Sequence, residues 1–340
     1  MNRLLWLVPA VAVLALLLTW CLRRYALARS LIDIPNARSS HSVPTPRGGG
    51  VAIVVSFLVA LLILFAGDEI SGPITWMLLG SGTAVAVLGF LDDHGHIAAR
   101  WRLLGHFGAA AWALYWLGGL PVLSLPLGNV DLGWLGNILA AFYLVWMLNL
   151  YNFMDGIDGL ASIQALCACL SACLVYWLNG YQALIWGPLL LSSAVIGFLY
   201  WNFPPARIFM GDAGSGFLGI ILGVLSLQAA WQSADLLWVW LILLGVFIVD
   251  ATFTLIRRLM RGDKVYEAHR SHAYQHASRK VGSHLAVTLS VLAINLFWLI
   301  PIALCVAMLE LNGLVGVSIA YIPLLLLAVK YRAGELEKTA

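Results

Sequence analysis

Asn149-Leu-Tyr-Asn-Phe-Met-Asp-Gly-Ile-Asp-Gly159 places two carboxylates and two side-chain amides at the end of an apolar run that begins near Trp134. Asp155 and Asp158 are three apart, and on a helical turn they share a face, a geometry for holding a cation or a polar ligand. Gly156 and Gly159 thin the backbone so that a ligand can approach it. Asp-Gly pairs are also ordinary turn formers, and alone they would read as a cap between two helices. The surroundings of the stretch decide between the two.

Of the 340 residues, 62% are hydrophobic and 10% charged, whereas soluble domains carry roughly 25% charged residues. The chain reads as an all-α integral membrane protein, a polytopic bundle. The net charge of +3 gives no argument for a nucleic-acid partner, because in a membrane protein the placement of charge matters more than its sum. Cys21, Cys167, Cys169, Cys173 and Cys305 all fall in apolar segments and read as small core residues, not as disulfides or zinc ligands.

Runs free of Lys, Arg and Glu give about eleven spans: 4–22, 49–66, 74–91, 103–117, 134–151, 160–178, 183–201, 215–231, 236–256, 285–309 and 314–329. The first is long enough to cross and lacks a convincing cleavage site, so it reads as a retained helix and not a signal peptide. Of the 19 lysines and arginines, all but Arg3 lie in the odd-numbered loops or the C-terminal tail. Arg23, Arg24, Arg29, Arg38 and Arg47 follow span one. The positive-inside rule then sets a periplasmic N-terminus and a cytoplasmic C-terminus. The even-numbered loops hold Asp68, Glu69, Asp131, Asp235 and Glu310, and look like plain connections. A single transmembrane domain, 1–340, follows, with a basic cytoplasmic loop at 257–283.

The polar clusters sort the same way. Asp92-Asp93 end span three, where adjacent carboxylates stay ionised only beside a cation. Asp212 precedes a Gly-Ser-rich helix start, so its carboxylate and the N–H groups around Gly214 to Gly216 could hold phosphate and metal; a simple N-cap is the plainer reading. Gly216, Gly219 and Gly223 read as close helix packing. Asp92/Asp93, Asp155/Asp158 and Asp212 suit magnesium, with manganese as the substitute, since that ion takes one or two carboxylates plus water and phosphate. The basic loop, running through Glu267 to His276, carries His269, Arg270 and His272; inner-leaflet electrostatics explains its charge, and a diphosphate clamp explains its histidines. His41, Pro44, Pro46 and Arg47 run into Gly48 to Gly50 and could bring Arg47 to the same place. Asp250, inside span nine, reads as a partner for an arginine or histidine. Clusters confined to one membrane face argue for one cytoplasmic site, and against a transporter, which needs its polar residues near mid-membrane.

Together the motifs resemble the polyprenyl-phosphate N-acetylhexosamine-1-phosphate transferases (glycosyltransferase family 4), integral membrane enzymes that start lipid-linked glycan synthesis. The likeness covers about residues 33–276. It rests on P-T-P-R-G-G-G (44–50), F-L-D-D (90–93), N-F-M-D-G-I-D-G (152–159) and N-x-x-P-A-x-x-F-M-G-D-x-G-S (202–215). The resemblance implies a magnesium-dependent transfer of an N-acetylhexosamine 1-phosphate from a UDP-N-acetylhexosamine to undecaprenyl phosphate in the bacterial inner membrane. It places Asp92 and Asp93 at the lipid phosphate, Asp212 on magnesium with Asp93 and Asp155 beside it, and Asn152, Asp155, Asp158, Asn202 and Phe209 around the nucleotide. Arg47, Arg102, His269 and Arg270 would bind substrate, and His272 would join Asp92, Asp93 and Asp212 in catalysis. Arg100 and His106 stand where the family shows Lys and Gln, and the 270–276 stretch keeps R-x-H without the adjacent histidines. Those departures favour the branch that initiates O-antigen and related surface lipopolysaccharide over the peptidoglycan pentapeptide branch. A CDP-alcohol enzyme fits less well, because Gly159 is followed by Leu160-Ala161-Ser162 and not Ala-Arg. The oligomeric state, a homodimer included, stays open.

Overall fold

The computed structural model describes residues 4–35, 41, 43–95, 97–125, 128–264 and 269–335. Arg38 and Glu267 lie outside them, as does Lys338 in the tail. All eleven apolar runs are helical. In order they form α1 (Leu7–Ala28), α2 (Val51–Ala66), α3 (Gly72–Gly95), α4 (Ala99–Leu117), α5 (Gly133–Phe153), α6 (Leu160–Leu178), α7 (Trp186–Asn202) and α8 (Asp212–Gln232). Then come α9 (Asp235–Leu243), α10 (Gly245–Met260), α11 (Ala273–Val281), α12 (His284–Ile294), α13 (Ile300–Met308) and α14 (Gly313–Lys330). Among the described residues eight helices are long and apolar enough to cross a membrane, α12 and α13 counting as one through a π-helical turn at Asn295–Leu299. This is a multi-pass, mainly α-helical membrane protein.

The expected eleven crossings are not all alike. α2 has 16 residues, and α4 opens on Arg100 and Arg102. The predicted ninth span, 236–256, is two helices, α9 and α10, bent by 74° at Leu244. The bend frees backbone carbonyls that hydrocarbon cannot solvate. Side chains of neighbouring helices take them: Gln164 Nε2 donates to the Leu243 carbonyl at 2.8 Å, and Tyr321 Oη donates to that of Leu241 at 2.8 Å. Asn295, on the π-helical turn, in turn holds Gln164 at 2.9 Å. α11 lies inside the basic loop, where no span or helix was expected.

Two short antiparallel ribbons depart from an all-helical reading. One joins β1 (Ile32–Asp33) to β2 (Thr45–Pro46), and the other joins β3 (Leu123–Leu125) to β4 (Gly128–Val130) in a loop that looked like a plain connection.

α8 is the centre of the bundle. Its spanning window is 94% buried, against 22% for α1. The Gly216, Gly219 and Gly223 ridge explains how neighbours come so close: a Cβ on Gly219 would sit 2.5 Å from the Met147 carbonyl oxygen and 2.6 Å from Leu148 Cα. α5 therefore lies directly on α8, and Asn152 near its end comes beside Asp212.

The odd-numbered loops meet at one end of the bundle, as the charge pattern requires. Arg23 Nε donates to the Arg207 carbonyl at 3.1 Å, Tyr274 Oη to that of Phe153 at 2.9 Å, and the Ala206 N–H to Asp158 Oδ2 at 3.0 Å. The C-terminal segment joins them. Arg257 Nη2 lies 2.7 Å from Glu335 Oε1, Arg261 Nη1 donates to the Gly334 carbonyl at 2.7 Å, and the Gly334 N–H donates to that of Ser271 at 2.6 Å.

A Gly219→Val substitution should force α5 off α8 and cost about 1–3 kcal/mol. Thermal unfolding in detergent should show it, while Gly108→Ala, which has open space around it, should stay within about 0.5 kcal/mol.

Candidate active site

The site is built on the first residues of α8. Gly211, at φ +78°, precedes the helix, and a side chain there would collide with Asp93. The Ala213 N–H lies 3.4 Å from Asp93 Oδ2, so the carboxylate of α3 caps the N-terminus of α8. Arg47 sits 3.9 Å from the other Asp93 oxygen and also donates to the Asp93 carbonyl. The plainer reading of Asp212, as an N-cap, therefore fails: Asp93 does that work, and Asp212 lies beside Asn152 in the walls of two cavities. The N–H groups of Gly214 and Ser215 are also taken, both by the Gly211 carbonyl at 3.1 Å, so they are not a free phosphate cradle.

The glycine run of the first loop docks onto the segment before α8. Phe209 N–H donates to the Pro46 carbonyl at 2.8 Å, and Gly49 and Gly50 donate to Phe209 and Met210 at 2.9 Å each. A Cβ on Gly50 would meet Gly214 Cα at 2.5 Å, which explains glycine there.

Asp155 and Asp158 do not share a helical face. Residues 155–159 form an irregular turn between α5 and α6, and the two carboxyls part. Asp158 is held by His284 Nδ1 at 3.2 Å and the Ala206 N–H at 3.0 Å. Burial alone would raise its pKa, but those donors outweigh it and hold the carboxyl below its usual range. Asp155 faces Asp212 and Asp93. Burial, then repulsion from those two and from Asp158, pushes its pKa well up. Asn202, 3% exposed, braces the turn: its Oδ1 accepts from the Gly159 N–H at 3.0 Å and its Nδ2 donates to the Ile208 carbonyl at 3.0 Å.

Two cavities adjoin at this end. One, of about 220 Å³, is polar and is lined by Arg47, Asp93, Asn152, Asp155, Asp158, Asn202, Phe209 and Asp212, among others. The second, of about 200 Å³, has apolar walls at Val85, Leu88, Leu103 and Leu148 and a polar mouth at Asp92, Arg102 and His106. Asp92 accepts from Arg102 and, at 2.8 Å, from the Ile97 N–H. Asn152 and Asp212 line both cavities, so they mark where the two meet.

Among the described residues no three Asp, Glu, His or Cys side chains converge as a metal cluster. Asp93, Asp155 and Asp212 are thus neighbours around a cavity and not a three-carboxylate cage. Asp93 is already engaged by Arg47 and Ala213. Asp155 and Asp212 have no ion pair among the described residues, and two carboxylates with room for water and phosphate fit a hard cation such as magnesium.

The histidine loop lies alongside. His269 and His272 stack at 4.9 Å, and Phe153 lies 6.2 Å from His272. Burial, with help from His272 and Arg258, pushes the His269 pKa down to about 3, so it offers hydrogen bonds and not charge at neutral pH. His269, Arg270 and His272 line neither cavity; Gln275, one turn into α11, does. Asp33, His41 and Gln275 line the polar cavity and were not singled out as site residues, nor was His284, the partner of Asp158. Asp33 and His41 lie at the edge of the resembling region. Gln275 stands in the 270–276 stretch where the resemblance leads one to expect a further histidine, and His284 stands in no motif, so only its folded position reveals it.

Carboxylates at the meeting point of a polar and an apolar-walled cavity, at one end of a helical membrane bundle, suit a membrane transferase that joins a polar donor to a lipid-borne group. Known proteins agree with that class. The profile of glycosyl transferase family 4 matches residues 75–230. A probable undecaprenyl-phosphate N-acetylglucosaminyl 1-phosphate transferase of Bacillus subtilis (strain 168) is 32% identical, over 83% of this chain and 78% of its own. The decaprenyl-phosphate N-acetylglucosaminephosphotransferase of Mycolicibacterium smegmatis is 30% identical, over 79% and 75%. A phospho-N-acetylmuramoyl-pentapeptide-transferase of Moorella thermoacetica is 34% identical, over 54% of this chain and 61% of its own. The chain belongs to glycosyl transferase family 4.

Replacing Asn202 by Ala should strand the Gly159 N–H and the Ile208 carbonyl, at a cost of about 1–3 kcal/mol. Thermal unfolding should fall accordingly, and donor binding with it.

Proposed function

We propose that the protein transfers an N-acetylhexosamine 1-phosphate from a UDP-sugar to undecaprenyl phosphate, releasing UMP, at the cytoplasmic face of the bacterial inner membrane. The observation that carries this reading is the junction of the two cavities at Asp212 and Asn152. One side suits a nucleotide diphosphate. The other suits a phosphate at the end of a hydrocarbon tail. A lipid phosphate oxygen attacks the sugar-bearing phosphorus, the bond from that phosphorus to the bridging oxygen breaks, and the bridging oxygen leaves on UMP.

The chemical difficulty is that two anions must meet. Arg102, held by Asp92, faces the lipid phosphate, and Arg47, held by Asp93, faces the diphosphate. Asp155 and Asp212 are the carboxylates to hold magnesium, which supplies charge neutralisation for the diphosphate and the departing UMP when bound. Phe209 offers a ring face to the base, in edge contact with His41 at 4.7 Å. Asn152 lies against Asp212 and orients the reacting groups.

The names of the Bacillus and Mycolicibacterium relatives support N-acetylglucosamine as the sugar and a polyprenyl phosphate as acceptor. The pentapeptide-transferase relative matches a smaller share of this chain, which weighs against a pentapeptide-bearing donor, and the O-antigen branch is carried by the departures at Arg100, His106 and 270–276.

Purified protein should release UMP only when undecaprenyl phosphate, magnesium and a UDP-N-acetylhexosamine are all present, and EDTA should stop it. Asp212→Asn should lower turnover by about 100-fold or more without unfolding the protein. Full activity in that variant, or no release with any donor, would overturn the reading. Arg102→Ala should raise KM for the lipid phosphate about tenfold or more while leaving KM for the donor nearly unchanged, which titration of each substrate would read.

A further inference from the structure

α11 and the end of α14 help to enclose a third cavity, for which the transfer reaction has no use. It measures about 200 Å³, the same as the apolar-walled cavity beside Asp212, and of the described residues that line it none lines either cavity of the site. Four helices wall it. Val249 of α10, Ala277 of α11, Val287 and Val291 of α12, and Leu324 and Ala328 of α14 are among its lining residues. The spacings of four along α12 and α14 turn one apolar face of each helix inwards. Asp250, the carboxyl in the wall, is taken up by α11: its Oδ1 accepts from the Ala273 N–H at 2.9 Å and lies 3.3 Å from His272 Nδ1, and its Oδ2 accepts from the Tyr274 N–H at 3.0 Å. Walls of this kind suit hydrocarbon and not a sugar or a nucleotide.

The charge lies at the opening. Val281, 54% exposed, and the half-buried Tyr331 mark where the cavity reaches the surface. Next to each in sequence is an exposed lysine, Lys280 in the last turn of α11 and Lys330 in the last turn of α14. Neither forms an ion pair among the described residues, and Lys330 Nζ lies over the Tyr331 ring at 5.7 Å. Inner-leaflet electrostatics accounts for lysines at this end, but not for an apolar cavity that opens beside them. Hydrocarbon walls with cations at the rim are the complement of an acyl chain joined to an anionic head. The carrier lipid has the same make-up, yet its phosphate has to reach the junction at Asp212 and Asn152, and no residue of this cavity's wall lies there.

Tyr274 gives the cavity a bearing on the site. It lines the cavity, while its Oη donates to the carbonyl of Phe153, the residue after Asn152, at 2.9 Å. Gln275, the next residue of α11, lines the polar cavity. α11 thus contributes to a wall of each.

We propose that this third cavity holds an acyl chain of an anionic phospholipid whose head group pairs with Lys280 and Lys330, and that the bound lipid steadies α11 and, through Tyr274, the end of α5 that carries Asn152. The effect on turnover rests on the transferase reading; the binding does not.

Native mass spectrometry of the purified protein, titrated with phosphatidylglycerol or with phosphatidylcholine of the same chains, reads the binding. The tightest-bound phosphatidylglycerol should be held about tenfold more strongly than phosphatidylcholine, as two lysines beside an anionic head imply. Lys280→Glu combined with Lys330→Glu should abolish that preference. Ala277→Phe, which fills the cavity without changing a charge, should weaken retention about tenfold or more. The lysine pair is exposed, so it decides the matter even where Ala277→Phe does not fold. Equal retention of the two lipids, a preference that survives the lysine substitutions, or displacement of the bound lipid by stoichiometric undecaprenyl phosphate would overturn the proposal. In phosphatidylcholine vesicles, added phosphatidylglycerol should raise UMP release about threefold or more. The lysine variant should match the unsubstituted rate in pure phosphatidylcholine and show no rise. Binding as expected with no change in rate would overturn the link through Tyr274. If no donor yields UMP, the transferase reading fails, and the mass spectra still decide whether the cavity takes the lipid.

Discussion

Carboxyl groups gathered where water is scarce repel one another, and one end of this bundle is arranged around that repulsion. Asp93 and Asp158 are neutralised by protein: the first by the start of α8 and Arg47, the second by His284 and the Ala206 N–H. These two bind the loops into one framework. Asp155 and Asp212 have no ion pair among the described residues, Asp212 having only the Asn152 amide, and both line the cavity. The division separates carboxylates that build the site from carboxylates left for what enters it.

The framework depends on α8 being surrounded. Glycines on its surface let α5 lie against it, and the glycine run after Arg47 lets the first loop lie against its beginning. Backbone approaches this short leave little freedom for Asp212, Asn152 and Arg47 to move apart. The break between α9 and α10 serves the opposite end of the same purpose. It turns α10 so that Asp250 meets α11, and Gln164 and Tyr321 make the break tolerable inside an apolar bundle.

Much of this was legible in the sequence. Apolar runs located every helix that crosses the bundle, because hydrocarbon leaves the backbone few alternatives. The distribution of arginine and lysine foretold that the odd-numbered loops meet. The glycines at 216, 219 and 223 were read as packing, and they pack. What sequence could not supply was the allocation of partners. Asp212 could be read as a metal ligand or as a plain cap, and the capping is done by Asp93, more than a hundred positions upstream. Asp155 and Asp158 looked alike by spacing, and the irregular turn at 155–159 sends them to different partners. The 74° bend left no mark in an apolar stretch, since Gly245 alone does not break a helix and the groups that satisfy the freed carbonyls come from α6 and α14. α11 was hidden because its cap, Asp250, lies more than twenty positions upstream on another helix.

The hydrogen bond from Gly334 to Ser271, with Arg257 and Arg261 gripping the same segment, means that the stretch after α14 is fastened to the histidine loop. Ser271 stands between Arg270 and His272 in sequence. A pull on the segment after α14 therefore bears on the histidine loop, whereas a load on the peripheral α1 leaves the fastening undisturbed.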